Sequence, residues 1–273
     1  MTYTAVDEDT SAYNTGQVKL YGPECFAGMH AVGQLAAAAL DVLKDEVKPG
    51  VTTDYLDRLV YDYALAHECI PAPLNYRGYT KSICTSINHV VCHGIPSDRI
   101  LREGDIINID VTLIKDGWHG DTSRMYYVGD VPRRARRLVE ITYKAMMRGI
   151  AEVKPGATLG DIGAAIQDYA EGERCSVVRD FCGHGLGLVF HDAPNILHYG
   201  VRGQGLTLQE GMFFTIEPMI NLGKPGVKLL KDGWTAVTRD RSLSAQFEHS
   251  LGVTQDGADI FTLSPANQHC PPY

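Results

Sequence analysis

The chain repeats part of its own sequence after about 106 residues, and this repeat constrains the fold more than any other feature. Residues 46–52 read Glu-Val-Lys-Pro-Gly-Val-Thr, and residues 152–158 read Glu-Val-Lys-Pro-Gly-Ala-Thr. Residues 101–110, which end in Ile-Asn-Ile-Asp, return at 208–217, which end in Phe-Thr-Ile-Glu. Two such units, each too small to bury its hydrophobic face well, are expected to pack about a pseudo-two-fold axis. Asp110 and Glu217 occupy equivalent places and should meet at the shared interface.

Charged or ionisable residues interrupt apolar sequence at five places, namely Asp110, Asp121, His184, Glu217 and Glu248. Taken singly, an isolated Asp in a strand is more typical of an edge or turn, and an isolated Glu before Pro is usually solvated. The repeat relation between Asp110 and Glu217 favours a shared buried site instead. Four carboxylates buried together need neutralisation, which two divalent cations would supply.

The ligand atoms of such a site would be carboxylate oxygens and one imidazole nitrogen. This set suits manganese, iron(II), cobalt or zinc better than a thiolate-rich zinc site does. Two metals about 3.5–4 Å apart can hold a bridging water, lower its pKa and stabilise the oxygen that becomes negative in the transition state. The pattern therefore predicts a hydrolase with two divalent metal ions per chain.

Local patterns predict where two of these carboxylates lie. Residues 106–114 are β-branched and apolar and predict a strand, Asp116-Gly117 predicts a hairpin turn, and residues 118–127 predict the returning strand. Asp110 and Asp121 are nearly equidistant from the turn, so we expect them near-opposite on one face. Helices are expected at 23–43, 53–68, 132–153 and 158–172, one pair per repeat.

Several separated motifs resemble those of the type I methionine aminopeptidases. They include Phe-Cys-Gly-His-Gly-Leu-Gly at 181–187, Val-Cys-His-Gly-Ile-Pro at 91–96, Thr-Ile-Glu-Pro at 215–218 and Ser-Ala-Gln-Phe-Glu-His at 244–249. The resemblance extends over roughly residues 23–257 and includes all five ligand positions. It implies the pita-bread fold, an α/β architecture with a curved, mainly antiparallel sheet backed by helices.

The resemblance also implies a role for each ligand. Asp110 and Asp121 would bind chiefly one metal, and His184 and Glu217 the other. Asp121 and Glu248 would bridge the two ions. Glu217 would in addition act as general base on the bridging water.

Further residues receive roles from the same resemblance. His191 would help to stabilise the oxyanion of the tetrahedral intermediate, and His93 would contact the scissile amide nitrogen. Thr112 and Thr215 are expected to donate hydrogen bonds that orient ligand carboxylates. His89, His119, His198 and His249 lie beside motifs and remain ambiguous between functional and structural roles.

The methionine side chain of a substrate needs an apolar pocket with soft and aromatic walls. Family correspondence assigns its substrate-binding residues to Tyr76, Tyr79, Cys84, His93, Phe190, His191 and Trp234. Pro73 stands where many members carry a cysteine. The resemblance also implies one sodium or potassium ion near Asn88, Val90 and Ser244, held largely by backbone carbonyls.

Length and composition indicate one catalytic domain. A chain of 273 residues with 44% hydrophobic content can bury a substantial core, and no Pro/Ser-rich linker divides it. We expect a flexible lead-in at 1–17, a catalytic domain at 18–263 with pseudo-repeats at about 23–128 and 132–257, and a tail at 264–273. A monomer is expected.

Charge and cysteine content constrain partners and compartment. The net charge of −8 argues against specific nucleic-acid binding, although Lys224, Lys228 and Lys231 predict a basic loop that makes weak contact with the ribosome. Seven cysteines form no CxxC motif, and we expect neither a signal peptide nor an apolar span of 18 residues. This pattern favours free thiols, a cytoplasmic location and no membrane association.

The predicted function is metal-dependent removal of the initiator methionine from nascent chains and peptides whose second residue is small. Prolidases and related enzymes share the implied fold but usually carry a large domain before the catalytic one. Type II methionine aminopeptidases generally insert a helical subdomain between the positions of His184 and Glu217, where this chain has only 32 residues. The remaining alternative is a non-catalytic pita-bread scaffold that binds protein or RNA.

Overall fold

The structure is a computed structural model and describes residues 1–6 and 14–273. Its helices are α1 (Cys25–Val42), α2 (Thr53–Ala66), α3 (Arg133–Ala151) and α4 (Leu159–Gly172), close to the predicted bounds. A threonine caps the second helix of each repeat, where its side-chain oxygen accepts a hydrogen bond from a backbone N–H of the first turn. Thr52 Oγ1 accepts a hydrogen bond from the Tyr55 backbone N–H at 3.2 Å, and Thr158 forms a capping box with Asp161.

Strands are short except in the first repeat, where one long hairpin dominates. In chain order they are β1 (Tyr3–Ala5), β2 (Val18–Leu20), β3 (Ile70–Pro71), β4 (Ile83–Ile87), β5 (Val90–Cys92), β6 (Ile106–Lys115), β7 (Trp118–Tyr127), β8 (Ser176–Val177), β9 (Gly183–Gly185), β10 (Asp192–Ile196), β11 (Phe213–Ile216), β12 (Met219–Asn221), β13 (Val227–Leu229), β14 (Ala236–Thr238), β15 (Ser244–Gln246), β16 (His249–Val253) and β17 (Ala258–Ile260). Among the described residues, every strand pairing except β1 with β2 is antiparallel.

The strands form small sheets that meet between the repeats. The first repeat contains the order β3-β6-β4 with β7 beside β6, and the second contains β10-β9-β11-β16-β17 and β15-β12-β8. A bridge between Ser123 and Glu248 connects β7 to the segment that enters β16. The predicted pita-bread architecture, mainly antiparallel and backed by helices, is confirmed.

A large hydrophobic core lies between the helices and the sheet of each repeat. Helices α1 and α2 pack on the first sheet through side chains such as Leu40, Leu56, Ile107 and Val111, all fully buried. Helices α3 and α4 pack on the second sheet through Leu138, Ile162, Phe214 and Ile216. Because side chains alternate along a strand, the faces turned away from α1 and α2 are left to carry polar residues.

The polar faces of the two repeats are joined by hydrogen bonds next to the predicted ligands. Thr122 Oγ1 donates to the Glu248 backbone carbonyl at 2.8 Å, and Ser250 Oγ donates to the Asp121 carbonyl at 2.6 Å. Asn108 Nδ2 donates to the Gln246 carbonyl at 2.9 Å. These bonds fix β6 and β7 relative to the strands of the second repeat, so the interface is rigid where the ligands lie.

Both ends of the described chain lie against the domain. Strand β1 pairs in parallel with β2, which differs from the flexible lead-in expected at 1–17, and the rest of that segment includes 7–13, outside the described residues. In the expected tail, Tyr273 Oη donates to the Met125 carbonyl at 2.9 Å. The domain bounds at 18 and 263 stay a prediction.

Helix α1 corrects one expectation. It has 18 residues and is apolar enough, by length and composition alone, to cross a membrane, so the prediction that no such span exists is wrong. Its Met29, Val32, Ala36 and Leu40 are fully buried, and α1 packs on β6 and β7. The core helix of a protein can have the same apolar composition, so α1 is weak support for a membrane span.

A buried ion pair stabilises the contact between α1 and β7. The Arg124 guanidinium, 3% exposed, donates to Asp41 and, through Nη2, to the Ala37 carbonyl at 2.8 Å. We predict that Asp41→Ala lowers the free energy of unfolding by about 3–5 kcal/mol, because Arg124 loses its carboxylate partner. Denaturant unfolding followed by circular dichroism measures this change.

The matched control is Asp130→Ala, which breaks an ion pair with Arg136. The side chain of Arg136 is 40% exposed and that of Asp130 is 87% exposed. Exposed pairs contribute little, so this variant should unfold nearly as the parent does. Equal effects of the two substitutions would contradict the importance assigned to the buried pair.

Candidate active site

The predicted ligands converge on one cavity of about 380 Å³. Asp110 belongs to β6, Asp121 to β7 and His184 to β9. Glu217 follows β11 directly, and Glu248 precedes β16. All five line the cavity, so residues separated by up to 138 positions in sequence share one site at the repeat interface.

Three of these side chains lie close enough to share an ion. Asp121, His184 and Glu248 each offer a ligand atom, and these atoms lie within 4.8 Å of one another. His184 Nε2 is 3.5 Å from Asp121 Oδ2 and 3.7 Å from Glu217 Oε1. When several ligand atoms each lie about 2.0–2.2 Å from one ion, their distances from one another are comparable with those found here. The donor set therefore fits a divalent metal.

The hairpin register explains how β6 and β7 bring two carboxylates to one face. The turn residues Asp116 and Gly117 both have positive φ, 51° and 84°, which closes a two-residue hairpin. Asp110 pairs with Ser123, and Asp121 pairs with Thr112. The two carboxylates are therefore diagonal neighbours on one face, two residues out of register, which agrees with the near-opposite placement expected from the turn.

Neighbouring hydroxyls hold two carboxylates in fixed orientations. Thr112 Oγ1 donates to Asp121 Oδ1 at 2.7 Å, and Thr215 Oγ1 donates to Glu217 Oε1 at 2.8 Å. Gln246 Nε2 donates to the other Glu217 oxygen at 3.3 Å. Sequence reasoning missed Gln246, although it lies two residues before Glu248 in the same extended segment.

The carboxylates repel one another strongly without a cation. Burial, and then the charges of Asp121 and Glu217, raise the pKa of Asp110 well above its usual value. Burial and the same two charges raise the pKa of Glu248 likewise, and burial raises that of Glu217 to about 7. Asp110 Oδ1 is buried and has no hydrogen-bond partner among the described residues. An unpaired buried oxygen in a cluster of like charges is what a metal ligand without its ion should show.

His184 differs electrostatically from the other cavity histidines. Burial opposes its charged form, yet the hydrogen bond to Asp121 and the charge of Glu217 outweigh burial and raise its pKa. Its Nδ1 lies 3.0 Å from the Gly185 carbonyl, which leaves Nε2 toward the carboxylates. Since a carbonyl only accepts, Nδ1 carries the hydrogen, and the neutral ring then presents the lone pair of Nε2 to a metal.

His93 and His191 lie in the same cavity as neutral rings. Desolvation inside the cavity, and then the neighbouring His184, lower the pKa of His191, although the residue as a whole is exposed, and burial lowers the pKa of His93. The His191 ring centroid is 4.3 Å from that of His184. A neutral imidazole can donate one hydrogen bond and accept another, so both rings can contact a polar substrate group.

The predicted pocket residues line the same cavity, namely Tyr76, Tyr79, Cys84, Phe190 and Trp234. Tyr79 Oη donates to the Ile83 carbonyl at 2.9 Å, and the Tyr79 ring is 5.1 Å from that of Trp234. Pro73 is also part of the wall. Cavity residues that sequence reasoning did not assign are Arg77, Asp180, Phe181, Cys182 and Met219.

A family model for metallopeptidase family M24 matches residues 27–255. This chain belongs to metallopeptidase family M24. It is 62% identical to the methionine aminopeptidase of Rickettsia prowazekii over 257 residues, 94% of this chain and 99% of that protein. It is 50% identical to the methionine aminopeptidase of Escherichia coli strain K12 over 248 residues, 90% of this chain and 94% of that protein.

Solved structures give the same relationship. The methionine aminopeptidase structure from Rickettsia prowazekii has a TM-score of 0.90 at 62% identity and covers 90% of this chain and 100% of its own. That from Thermotoga maritima has a TM-score of 0.88 at 36% identity and covers 90% and 99%. A prolidase from Pyrococcus furiosus, with a TM-score of 0.70 at 21% identity, shares the fold.

Several predictions are thereby confirmed. The chain is a type I, bacterial-like member of the methionine aminopeptidases, and it is an enzyme of the M24 metallopeptidase family. The family implies the use of divalent metal, which the cluster of Asp121, His184 and Glu248 fits. The individual residue roles and the identity of the ions stay predictions.

Three ambiguous histidines of this M24 metallopeptidase have structural contacts. His198 Nε2 accepts a hydrogen bond from the Glu217 backbone N–H at 3.1 Å, and burial lowers its pKa to about 3, which keeps this nitrogen an acceptor. His119 Nδ1 lies 3.0 Å from the Gly187 carbonyl. His249 Nδ1 lies 2.9 Å from Thr262 Oγ1. None of these contacts could be located from motif position alone.

The residues expected near a monovalent cation are also neighbours. Asn88, with φ of 55°, accepts a hydrogen bond at its carbonyl from the Ser244 backbone N–H at 2.8 Å. Ser244 Oγ is buried without a hydrogen-bond partner in the described part of the chain. Val90 lies in β5 and pairs with Val237. Cation binding here stays a prediction.

The electrostatics of the cluster predict that the effect of Asp110→Asn on stability depends on whether metal is bound. In chelated protein at pH 7, Asp110→Asn should leave the melting temperature unchanged or higher, because a raised folded-state pKa means that the ionised carboxylate costs stability. With manganese at about 100 times its Kd, the parent should gain about 2.7 kcal/mol, and the variant clearly less. Differential scanning calorimetry measures both states.

Asp130→Asn is the control for the loss of one exposed negative charge, and it should follow the parent with and without manganese. A destabilised Asp110→Asn in chelator, together with an unchanged gain on adding manganese, would rule out Asp110 as a metal ligand.

Proposed function

We propose that this metallopeptidase removes the initiator methionine from nascent chains and peptides whose second residue is small. The carrying observation is that a carboxylate–histidine cluster and an apolar, aromatic-walled pocket open into the same cavity. A flexible thioether suits such walls, and the cluster lines the same cavity in which the adjacent peptide bond would then lie. The identity to methionine aminopeptidases supports this substrate.

The proposed metal ligands are Asp110, Asp121, His184, Glu217 and Glu248. They would hold two divalent ions, with Asp110 and Asp121 chiefly at one, His184 and Glu217 at the other, and Asp121 and Glu248 shared. Cobalt, manganese, iron(II) and zinc all suit this mixed oxygen and nitrogen set. When bound, the ions supply an activated water and stabilise negative charge on the carbonyl oxygen.

Glu217 is the proposed general base. Its two oxygens are oriented by Thr215 and Gln246, and its backbone N–H donates to His198, so its position is defined on three sides. A carboxylate held in this way can accept a proton from the attacking water and pass it to the departing amine.

His191 and His93 complete the proposed chemistry from within the same cavity. As a neutral ring, His191 can donate a hydrogen bond to the substrate carbonyl oxygen as negative charge develops there. His93 is the proposed contact of the scissile amide nitrogen. Its ring lies 5.5 Å from Phe181 and 6.1 Å from Trp234, so aromatic neighbours restrict its position.

The proposed setting is the cytoplasm, with the protein acting as a monomer on newly made chains. All seven cysteines are free, which suits a reducing compartment. No specific nucleic-acid partner and no membrane association are part of the proposal.

The deciding experiment compares hydrolysis of Met-Ala-Ser, Leu-Ala-Ser and Met-Lys-Ser by chelated protein reloaded with manganese, cobalt, iron(II) or zinc. We expect methionine release from Met-Ala-Ser alone, because only that peptide offers both the thioether and a small second side chain. Glu217→Gln should lower kcat at least about 100-fold through loss of the base. Amino-acid analysis of the products measures the methionine released from each peptide and, over time, kcat.

Turnover of Leu-Ala-Ser at the rate of Met-Ala-Ser would contradict the methionine pocket. The absence of turnover with all four metals, in protein whose circular dichroism is that of a folded chain, would favour the non-catalytic scaffold.

We also propose weak ribosome contact through the basic loop of Lys224, Lys228 and Lys231, all exposed around the β13–β14 hairpin. Reversing all three charges to Glu should reduce co-sedimentation with ribosomes at low salt by roughly tenfold, because phosphate contacts dominate such binding. The control reverses Lys48, Lys144 and Lys154, which are equally exposed but lie elsewhere. Equal loss in both triple variants would indicate that net charge alone governs binding.

A further inference from the structure

A cationic side chain lies at the rim of the active-site cavity without an assigned role. Arg77 is one of the lining residues and is exposed to solvent. Its guanidinium carbon lies 5.2 Å from the ring centroid of Tyr76. Among residues 1–6 and 14–273, no carboxylate forms an ion pair with Arg77 within 4.0 Å. A cation in this position is available to a carboxylate from outside.

The backbone that carries Arg77 is tightly constrained. Asn75 and Arg77 both have left-handed backbones, with φ of 67° and 47°. The turn is closed by the Asn75 N–H, which donates to the Tyr79 carbonyl at 2.7 Å, and by the Tyr79 N–H, which donates to the Tyr76 carbonyl at 2.9 Å. Non-glycine residues seldom adopt this conformation, and such strain concentrates at functional sites.

Tyr76 connects Arg77 to the reaction centre. The Tyr76 ring lies 5.1 Å from the ring of His191 and 5.0 Å from that of Phe190. Arg77 and His191 each lie about 5 Å from the same ring, so they are at most roughly 10 Å apart. An extended peptide spans about 3.3–3.6 Å per residue, so a separation of at most roughly 10 Å corresponds to no more than about three residues.

From these positions we infer that Arg77 binds a carboxylate of the substrate two or three residues beyond the scissile bond. The carboxylate is either an acidic side chain at the third or fourth position or the C-terminal group of a short peptide. This inference rests on the proposed function, since it assumes a peptide with its methionine in the pocket.

The chemistry of the guanidinium favours this ligand. Arginine offers two parallel N–H donors that match the two oxygens of a carboxylate, and contact with an aromatic ring restricts its side chain before binding. Asp180 also lines the cavity rim and is exposed, so it would favour a basic residue instead. Arg77 should dominate because its backbone is fixed by the turn and its side chain by Tyr76.

The test measures kcat/KM for amidated pentapeptides Met-Ala-Xaa-Ala-Ala and Met-Ala-Ala-Xaa-Ala, with Xaa as Glu, Gln or Lys. In the parent enzyme we expect kcat/KM of the Glu peptide to exceed that of the Lys peptide by roughly three- to fivefold at one of the two positions. The difference should arise mainly from KM and should become smaller at high salt. Met-Ala-Ala as free acid against its amide tests the C-terminal carboxylate as the ligand.

Three variants separate the role of Arg77 from general electrostatics. Arg77→Gln should bring the ratio of Glu to Lys close to one, and Arg77→Lys should keep part of the preference. Arg58→Gln removes the same charge from an exposed site on α2 and should keep the ratio of the parent. A KM effect that follows the charge of Xaa is a readout that a purely structural role of Arg77 would not produce.

Equal kcat/KM for the Glu and Lys peptides in the parent, or an unchanged ratio of the two in Arg77→Gln, would overturn the inference. In either case, hydrolysis of the Gln peptides would leave the proposed function intact. Failure to hydrolyse any Met-Ala peptide would overturn both. A ratio that falls equally in Arg58→Gln would assign the preference to overall charge and reject Arg77.

Discussion

Four carboxylates held within one buried cavity are the constraint on which the rest of the structure depends. Burial and mutual repulsion raise the pKa of Asp110, Glu217 and Glu248, so the cluster opposes its own assembly unless cations bind. The polypeptide must therefore be rigid at this point without them. The hydrogen bonds from Thr122 and Ser250 across the repeat interface, and the hydroxyls that orient Asp121 and Glu217, provide that rigidity.

The duplication makes this arrangement possible at low cost in hydrophobic burial. Each repeat has a large core on its helix side, and smaller apolar clusters join the repeats elsewhere, for example Val91 and Cys92 with Met219 and Ala236. The strand faces that line the cavity are thus free to carry polar and charged groups. The same division explains α1, whose apolar length resembles a membrane span but whose buried side chains cover β6 and β7.

Sequence patterns predicted the helices, the long hairpin and the convergence of the ligands, because periodicity and charge within apolar strands are local signals. They did not predict features that depend on contacts between distant segments. Gln246 and His198 contact Glu217 from other segments, and no motif marks those contacts. The diagonal placement of Asp110 and Asp121 depends on hairpin register, which a count from the turn gives only to within a residue or two.

The histidines illustrate why residue type alone did not determine the chemistry. Burial lowers the pKa of His198 to about 3, and desolvation inside the cavity lowers that of His191, so each stays neutral and serves as a donor or acceptor. His184 is buried as His198 is, but Asp121 and Glu217 raise its pKa. Its Nε2 is therefore drawn to the same negative cluster that attracts a cation, and a divalent ion would displace the proton there because it neutralises more charge. The position relative to the carboxylates, set by packing of the repeats, decides which imidazole can serve as a ligand.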